Sequence, residues 1–199
     1  ASRPFDADRT GIVCGEGAGI MLLESLESAQ ARNAPILAEI RGAAMSSSPG
    51  SIAQPDAAAI ADCMRRTLDD AGVQPQDVAY VNAHATATEF GDIAEGQAIE
   101  AVFGQATPVS SFKGHLGHTM AASGALESIL CIKMLQASTY VATRGLRNPD
   151  ARCGNLNHFY RQMHKPSCLV LKNSFALGGC NCTIVFDRLC ENSMNDGKE

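Results

Sequence analysis

Between Val78 and His118 the chain carries His84, Thr86, Thr88, Lys113 and His118, side chains that can donate hydrogen bonds, move protons or hold an anion. They fall in two clusters, Asn82-Ala83-His84-Ala85-Thr86-Ala87-Thr88 and Ser111-Phe112-Lys113-Gly114-His115-Leu116-Gly117-His118, each following a short apolar run. Val78 to Val81 and Val109 to Ser111 read as strands. If the two strands lie side by side in one sheet, their ends bring His84, Lys113 and His118 to a single pocket. Plainer roles stand beside this one: structural histidines at strand ends, a solvated Lys113, and β-branched strand residues at Thr86 and Thr88. His115 and His118 have the spacing of a metal pair, but no further ligand is evident near them.

The elements that must position these residues follow from periodicity and punctuation. Ser2 to Arg9 is a polar lead without apolar period. Gly11 to Leu26 contains Gly15-Glu16-Gly17-Ala18-Gly19 and then Ile20-Met21-Leu22-Leu23. This is not the GxGxxG spacing of a nucleotide loop, and the apolar run suits a buried strand, so the glycines are expected to allow close packing where strands cross. Glu24 to Asn33 reads as a short helix, Ile36 to Ala44 as a strand and Ser46 to Gln54 as a loop. From Asp56, apolar residues at Ile60, Met64, Leu68 and Ala71 predict a helix stopped by Gly72. Asp92 and Glu95 resemble an acidic capping box opening a helix with Ile99, Val102 and Phe103 on one face. A further helix is expected directly after His118, with Leu126, Ile129, Leu130 and Leu135. Its small residues Ala121, Ala122, Gly124 and Ala125 would let another backbone approach. Asn148-Pro149-Asp150 breaks the pattern, and Ala151 to Lys165 is irregular. Cys168 to Lys172 and Thr183 to Phe186 predict a hairpin turning at Gly178-Gly179, followed by a polar tail over 187–199. Strands alternating with helices indicate a layered α/β domain with a mixed sheet, closed by a C-terminal β hairpin.

Composition bounds the rest. The 199 residues, 45% of them hydrophobic, suit one well-cored domain over 1–199. Sixteen basic against 21 acidic residues give a net charge of -5, which argues against a nucleic-acid surface. The eight cysteines are scattered, and neither an apolar signal segment nor an 18-residue span stands out. They are expected to be reduced, mostly buried thiols in a cytoplasmic setting.

Six motifs in register resemble the C-terminal half of the elongating β-ketoacyl-acyl-carrier-protein synthases, condensing enzymes of the thiolase fold. These are Ser2 to Asp6, Gly15 to Gly19, His84 to Thr88 with Gly91-Asp92, Lys113 with Gly117-His118, Asn148-Pro149-Asp150, and Asn173-Ser174-Phe175 with Gly178-Gly179. The resemblance implies a decarboxylating Claisen condensation, in which a malonyl thioester loses CO2 and the resulting carbanion attacks an acyl group held on a cysteine. It implies His84 and His118 as neutral donors to the enolate oxygen, with Lys113 organising them and Glu127 balancing the lysine. Thr86 and Thr88 would bind the phosphopantetheine arm, which arrives on acyl carrier protein and is no resident cofactor. Phe175 and Leu177 would line the acyl side, with Asp92 in support.

The departures carry information too. The family usually has glycine where Ala85 stands and a small or hydroxyl residue at Ala87, so a methyl group would intrude beside the pantetheine channel, narrowing or reshaping it. Ala176-Leu177 replaces a glycine-phenylalanine pair, so altered acyl selectivity and a softer lid are expected. No cysteine lies in the family's nucleophile context. The abrupt start and this absence lead to the expectation that an N-terminal half carrying the cysteine completes the site in a dimeric enzyme. The alternative is a non-catalytic subunit of chain-length-factor or carrier-docking type, although chain-length factors typically lose the histidines that this chain keeps.

Overall fold

The computed structural model describes residues 1–48 and 54–189. Most of the expected loop over 46–54, and the tail beyond Leu189, lie outside the described residues; Ser46 and Ser47 end a strand instead. The helices are α1 (Leu26–Ala31), α2 (Ala57–Ala71), α3 (Glu89–Phe103), α4 (Lys113–Leu116) and α5 (Ser123–Ala137). The strands are β1 (Glu39–Ser47), β2 (Tyr80–Asn82), β3 (Pro108–Ser110), β4 (Thr139–Tyr140), β5 (Asn157–His158), β6 (Met163–His164), β7 (Leu169–Ala176) and β8 (Cys180–Asp187).

Among the described residues six strands form one mixed sheet in the order β1-β8-β7-β2-β3-β5, and β4 pairs with β6 in a small separate ladder. β1, β8 and β7 run antiparallel, whereas β7, β2, β3 and β5 are parallel neighbours. Period-2 alternation feeds two cores. Val81, Val109, Leu171 and Val185 pack with Ile60, Met64 and Leu68 of α2 and Ile99 and Phe103 of α3. Their strand neighbours Tyr80, Val170 and Phe186 pack with Cys131, Met134 and Leu135 of α5. A sheet covered on both faces leaves its middle strands no solvent side.

Local signals explain several boundaries. The Asp56 side chain caps α2 by accepting from the Ala58 and Ala59 amides, and Gly72 ends it in the left-handed region at φ 66°. The β7–β8 hairpin turns at Gly178 and Gly179, with φ of 80° and 77°, and a Cβ on Gly179 would meet the Ser48 carbonyl oxygen at 2.1 Å.

Four expectations are corrected. First, α3 begins one turn early, with Thr88 at its N-cap. Asp92 and Glu95 are therefore not a capping box but buried residues of α3 that bind loops elsewhere. Second, Ile20 to Leu23 is no buried strand: Ile20 and Leu22 are 94% and 83% exposed. No strand among the described residues pairs with it, and the glycines before it lie on helices rather than at a strand crossing. A Cβ on Gly15 would meet the Leu116 carbonyl oxygen at 2.1 Å, and one on Gly19 the Ala125 Cβ at 3.1 Å. Third, a 3-10 turn over Met120–Ala122 intervenes between His118 and α5, and a separate short helix, α4, carries Lys113. Fourth, the polar N-terminal lead is folded inward. Phe5 is fully buried and its amide donates to Asp92 Oδ2 at 2.7 Å. Asp6 Oδ2 accepts from the Arg147 and Asn148 amides, and Arg9 bridges Asp150 at 2.6 Å.

Candidate active site

The parallel register of β2 with β3 pairs Asn82 with Ser110, so the chain leaves both strands at the same edge. On the β2 side, Glu95 of α3 holds the loop. Its two carboxylate oxygens accept from the His84 amide at 2.8 Å and the Ala85 amide at 2.6 Å, and Oε1 also accepts from Asn173 Nδ2 at 3.0 Å. Asp92 accepts from the Ala87 amide at 3.0 Å, fixing Ala87 at a positive φ of 66°. Burial pushes the Asp92 carboxyl up to about 7 and raises that of Glu95, against the pull of these backbone donors. Thr86 and Thr88 share a hydroxyl–hydroxyl hydrogen bond of 3.0 Å. Gly91 is what permits it, since a Cβ there would sit 2.3 Å from Thr88 Oγ1.

On the β3 side, Ser111 Oγ donates to the Ala85 carbonyl at 3.1 Å and accepts from the Lys113 amide at 3.3 Å, tying the two clusters together. His118 is held by a parallel bridge to Cys14: its amide donates to the Val13 carbonyl at 2.7 Å, and its carbonyl accepts from Gly15 at 2.9 Å. His118 Nδ1 accepts from the Met120 amide at 3.2 Å, which places the proton of the neutral ring on Nε2. The His84 and His118 rings meet edge to face with centroids 5.4 Å apart, and Phe175 stands 5.7 Å from His84. Burial, then Lys113 and Lys172, hold His84 well below the ordinary histidine range, and the same causes lower His118. Both imidazoles are thus neutral at pH 7.

A cavity of about 660 Å³ opens over this group, lined by His84, Thr86, Thr88, His118, Phe175 and Leu177 among others. Of the pocket expected at the strand ends, His84 and His118 line one cavity, and Thr86 and Thr88 join them there. Lys113 departs from the expectation: the side chain is 1% exposed and absent from the cavity wall. It lies behind the histidines, 2.5 Å from Glu127 Oε1, and burial lowers its ammonium against the pull of that carboxylate. Glu127, which could have been a plain surface charge of α5, is 2% exposed. Ala85 lines the cavity but Ala87 does not. Leu177 is 77% exposed at the rim. His115 turns away to the Ala142 carbonyl at 2.9 Å and lines a different hollow, which dissolves the metal pair with His118.

Lys172 of β7 was missed. It is 2% exposed, 3.5 Å from Glu127 Oε2 and hydrogen-bonded to Ser174 Oγ. A lysine in a strand reads as solvent-facing, and the only available signal was its place directly after the apolar run Leu169 to Leu171. The cysteines divide. Cys63, Cys131 and Cys153 are buried thiols and Cys14 and Cys180 exposed ones, while Cys168 is disulfide-bonded, so the expectation of reduced thiols fails there. Among the described residues no cysteine lines the cavity, and no helix is long and apolar enough to cross a membrane.

A mixed sheet with helices packed on both faces is the architecture of the thiolase-like ketosynthases. The beta-ketoacyl synthase C-terminal domain model matches residues 37–147, and the chain belongs to that family. It is 40% identical over 195 residues to a 3-oxoacyl-[acyl-carrier-protein] synthase 2 of Coxiella burnetii, covering 95% of this chain and 47% of that protein. It superposes on a beta-ketoacyl synthase from Burkholderia phymatum with a TM-score of 0.91 at 39% identity, covering 96% of this chain and 47% of the other. It also superposes on a type II PKS acyl-carrier protein in complex with its ketosynthase bound to the hexaketide, with a TM-score of 0.90 at 32% identity, covering 96% and 48%. The chain thus spans about half the length of the relatives it matches.

Proposed function

We propose that this chain forms the decarboxylating half of a β-ketoacyl-acyl-carrier-protein synthase, acting on malonyl-carrier protein. The observation that carries the reading is the pair of imidazoles lining one cavity, with His118 Nδ1 taken by the Met120 amide so that Nε2 is left to carry the proton of a neutral ring. As the carboxylate carbon leaves as CO2, the electron pair of the breaking C–C bond flows to the α-carbon and the thioester oxygen. Neutral N–H donors aimed at that oxygen stabilise the charge as it develops, without the full charge that would bind the ground state equally well. Thr86 and Thr88, on the wall beside His84, would meet the amides of the phosphopantetheine arm, which arrives on the carrier protein. Phe175 and Leu177 border the acyl side.

The nucleophilic cysteine then comes from outside this segment, on an N-terminal half. Two features support that partner. No described cysteine reaches the cavity, and the unpaired run with exposed Ile20, Leu22 and Leu23 offers an apolar strand-like surface for another sheet. Native mass spectrometry is expected to find this segment joined to that half, in a dimer of the whole enzyme; a stable lone monomer removes the partner.

The reading is tested by incubating the full protein with malonyl- and acyl-carrier protein and following CO2 and the ketoacyl product. No turnover from an intact preparation overturns it in favour of a docking or chain-length-setting subunit.

A further inference from the structure

Beneath the cavity floor one carboxylate serves two ammonium groups. Lys113 Nζ lies 2.5 Å from Glu127 Oε1 and Lys172 Nζ lies 3.5 Å from Oε2, and all three side chains are 3% exposed or less. Ser123 Oγ adds a hydrogen bond to Glu127 Oε1 at 3.0 Å, whereas Oε2 has no hydrogen-bond partner among the described residues. Lys113 and Glu127 alone would make a balanced pair. Lys172 leaves the triad with a formal excess of one positive charge, where charges interact strongly and water screens little. Ser174, whose hydroxyl Lys172 holds, lines the cavity.

We propose that Lys172 is a positioning residue of the reaction site: by adding a second buried ammonium to Lys113 across Glu127, it keeps the cavity's imidazoles unprotonated so that they act as neutral donors. The inference rests on the reading of this cavity as the decarboxylating site. The charges that act on the two imidazoles are Lys113 on α4, Glu127 on α5 and Lys172 itself; Glu95 on α3 holds the His84 amide, Glu89 lines the same cavity, Cys14 bridges the His118 backbone, and Tyr80 on β2 and Cys131 on α5 adjoin Glu127. Glu127 pulls His118 toward protonation, whereas Lys113 and Lys172 oppose it; Glu95 spends its oxygens on the His84 and Ala85 amides and Asn173. Burial keeps the Cys131 thiol and Tyr80 phenol protonated, so neither supplies a compensating anion. With Lys172 neutral, Glu127 and Lys113 cancel and the repulsion on the imidazoles falls.

The test is histidine-labelled NMR of the full protein carrying Lys172→Gln, which keeps a donor for Ser174 but no charge. The His118 titration midpoint is expected to rise by roughly one pH unit, and the acid limb of decarboxylation to move up with it. Lys172→Arg restores the wild-type midpoint. A folded Lys172→Gln protein whose His118 titration is unmoved overturns the inference, and Lys172→Met of similar length serves if Lys172→Gln does not fold. The NMR reading needs no turnover. A protein that never releases CO2 but shows the shift refutes the function and keeps the electrostatic role, and an active protein without the shift does the reverse.

Discussion

His84 and His118 lie 34 positions apart in sequence and meet with ring planes 88° apart and centroids 5.4 Å apart. The contact exists because β2 and β3 are parallel neighbours in register, and because Val13 and Gly15 clamp the His118 backbone from a third segment. Each histidine is thus fixed by a different part of the chain, and variants at each support should separate positioning from chemistry.

His118→Ala in the full protein is expected to lower malonyl decarboxylation by about 10²- to 10³-fold, the usual cost of removing one donor to a developing oxyanion. Release of labelled CO2 measures this directly, and an unchanged rate would take His118 out of the reaction.

Glu95→Ala strips the acceptors from the His84 and Ala85 amides and from Asn173. Leaving these donors buried should cost about 3 kcal/mol of stability by urea titration. Glu95→Gln should cost less, because one of its two carboxylate oxygens persists as a carbonyl acceptor.

Two glycines should respond in opposite directions. Gly15→Ala drives a methyl to 2.1 Å from the Leu116 carbonyl oxygen, and relief requires the Val13–Gly15 segment to move off His118. A loss of about 1–3 kcal/mol is expected, with decarboxylation falling alongside. Gly124→Ala on α5 meets only Ser174 Oγ at 3.9 Å and should gain up to about 1 kcal/mol from helix propensity. Thermal melts of both variants check the contrast.

Buried groups set two opposing pH dependences. Burial lowers His158 to about 4, so the unfolded chain takes up its proton first as pH falls below about 6.5. The folded state keeps this contribution above that pH and loses it on the way down to 4, by about 2 kcal/mol between pH 7.5 and 5. Asp92, raised to about 7, has the other sign: its folded form holds the proton longer, so its ionisation costs stability as pH climbs from about 4 through 7. Stability measured at pH 5 and 8 should therefore fall less steeply on acidification for His158→Phe than for wild type. It should fall less steeply on alkalinisation for Asp92→Asn.

Much of the architecture was legible because it follows from local rules. Asp56, the spacing of Ile60, Met64 and Leu68, and Gly72 define α2 by capping, periodicity and a left-handed stop, none of which needs a distant partner. Gly178-Gly179 likewise marks the hairpin by backbone freedom alone. Ile20 to Leu23 misled for the same reason: an apolar run shows that a segment is suited to burial, but not whether a partner lies within the same chain. Asp92 and Glu95 have the spacing of a cap, yet their true acceptor roles join α3 to the Phe5 and His84 backbones across 87 and 11 positions.

The sequence by itself determined the family, the two histidine clusters and the strand ends that carry them, because these rest on residue identity and short-range order. Only the tertiary structure decided that Lys113 stands behind the site instead of in its wall, that Glu127 is buried, and that Lys172 joins them as a second ammonium. Whether a charged side chain in a strand or helix meets water or a carboxylate depends on what covers that face. Here α5 covers it, and the pairing of β7 beside β2 that brings Lys172 under the cavity is fixed by the whole sheet.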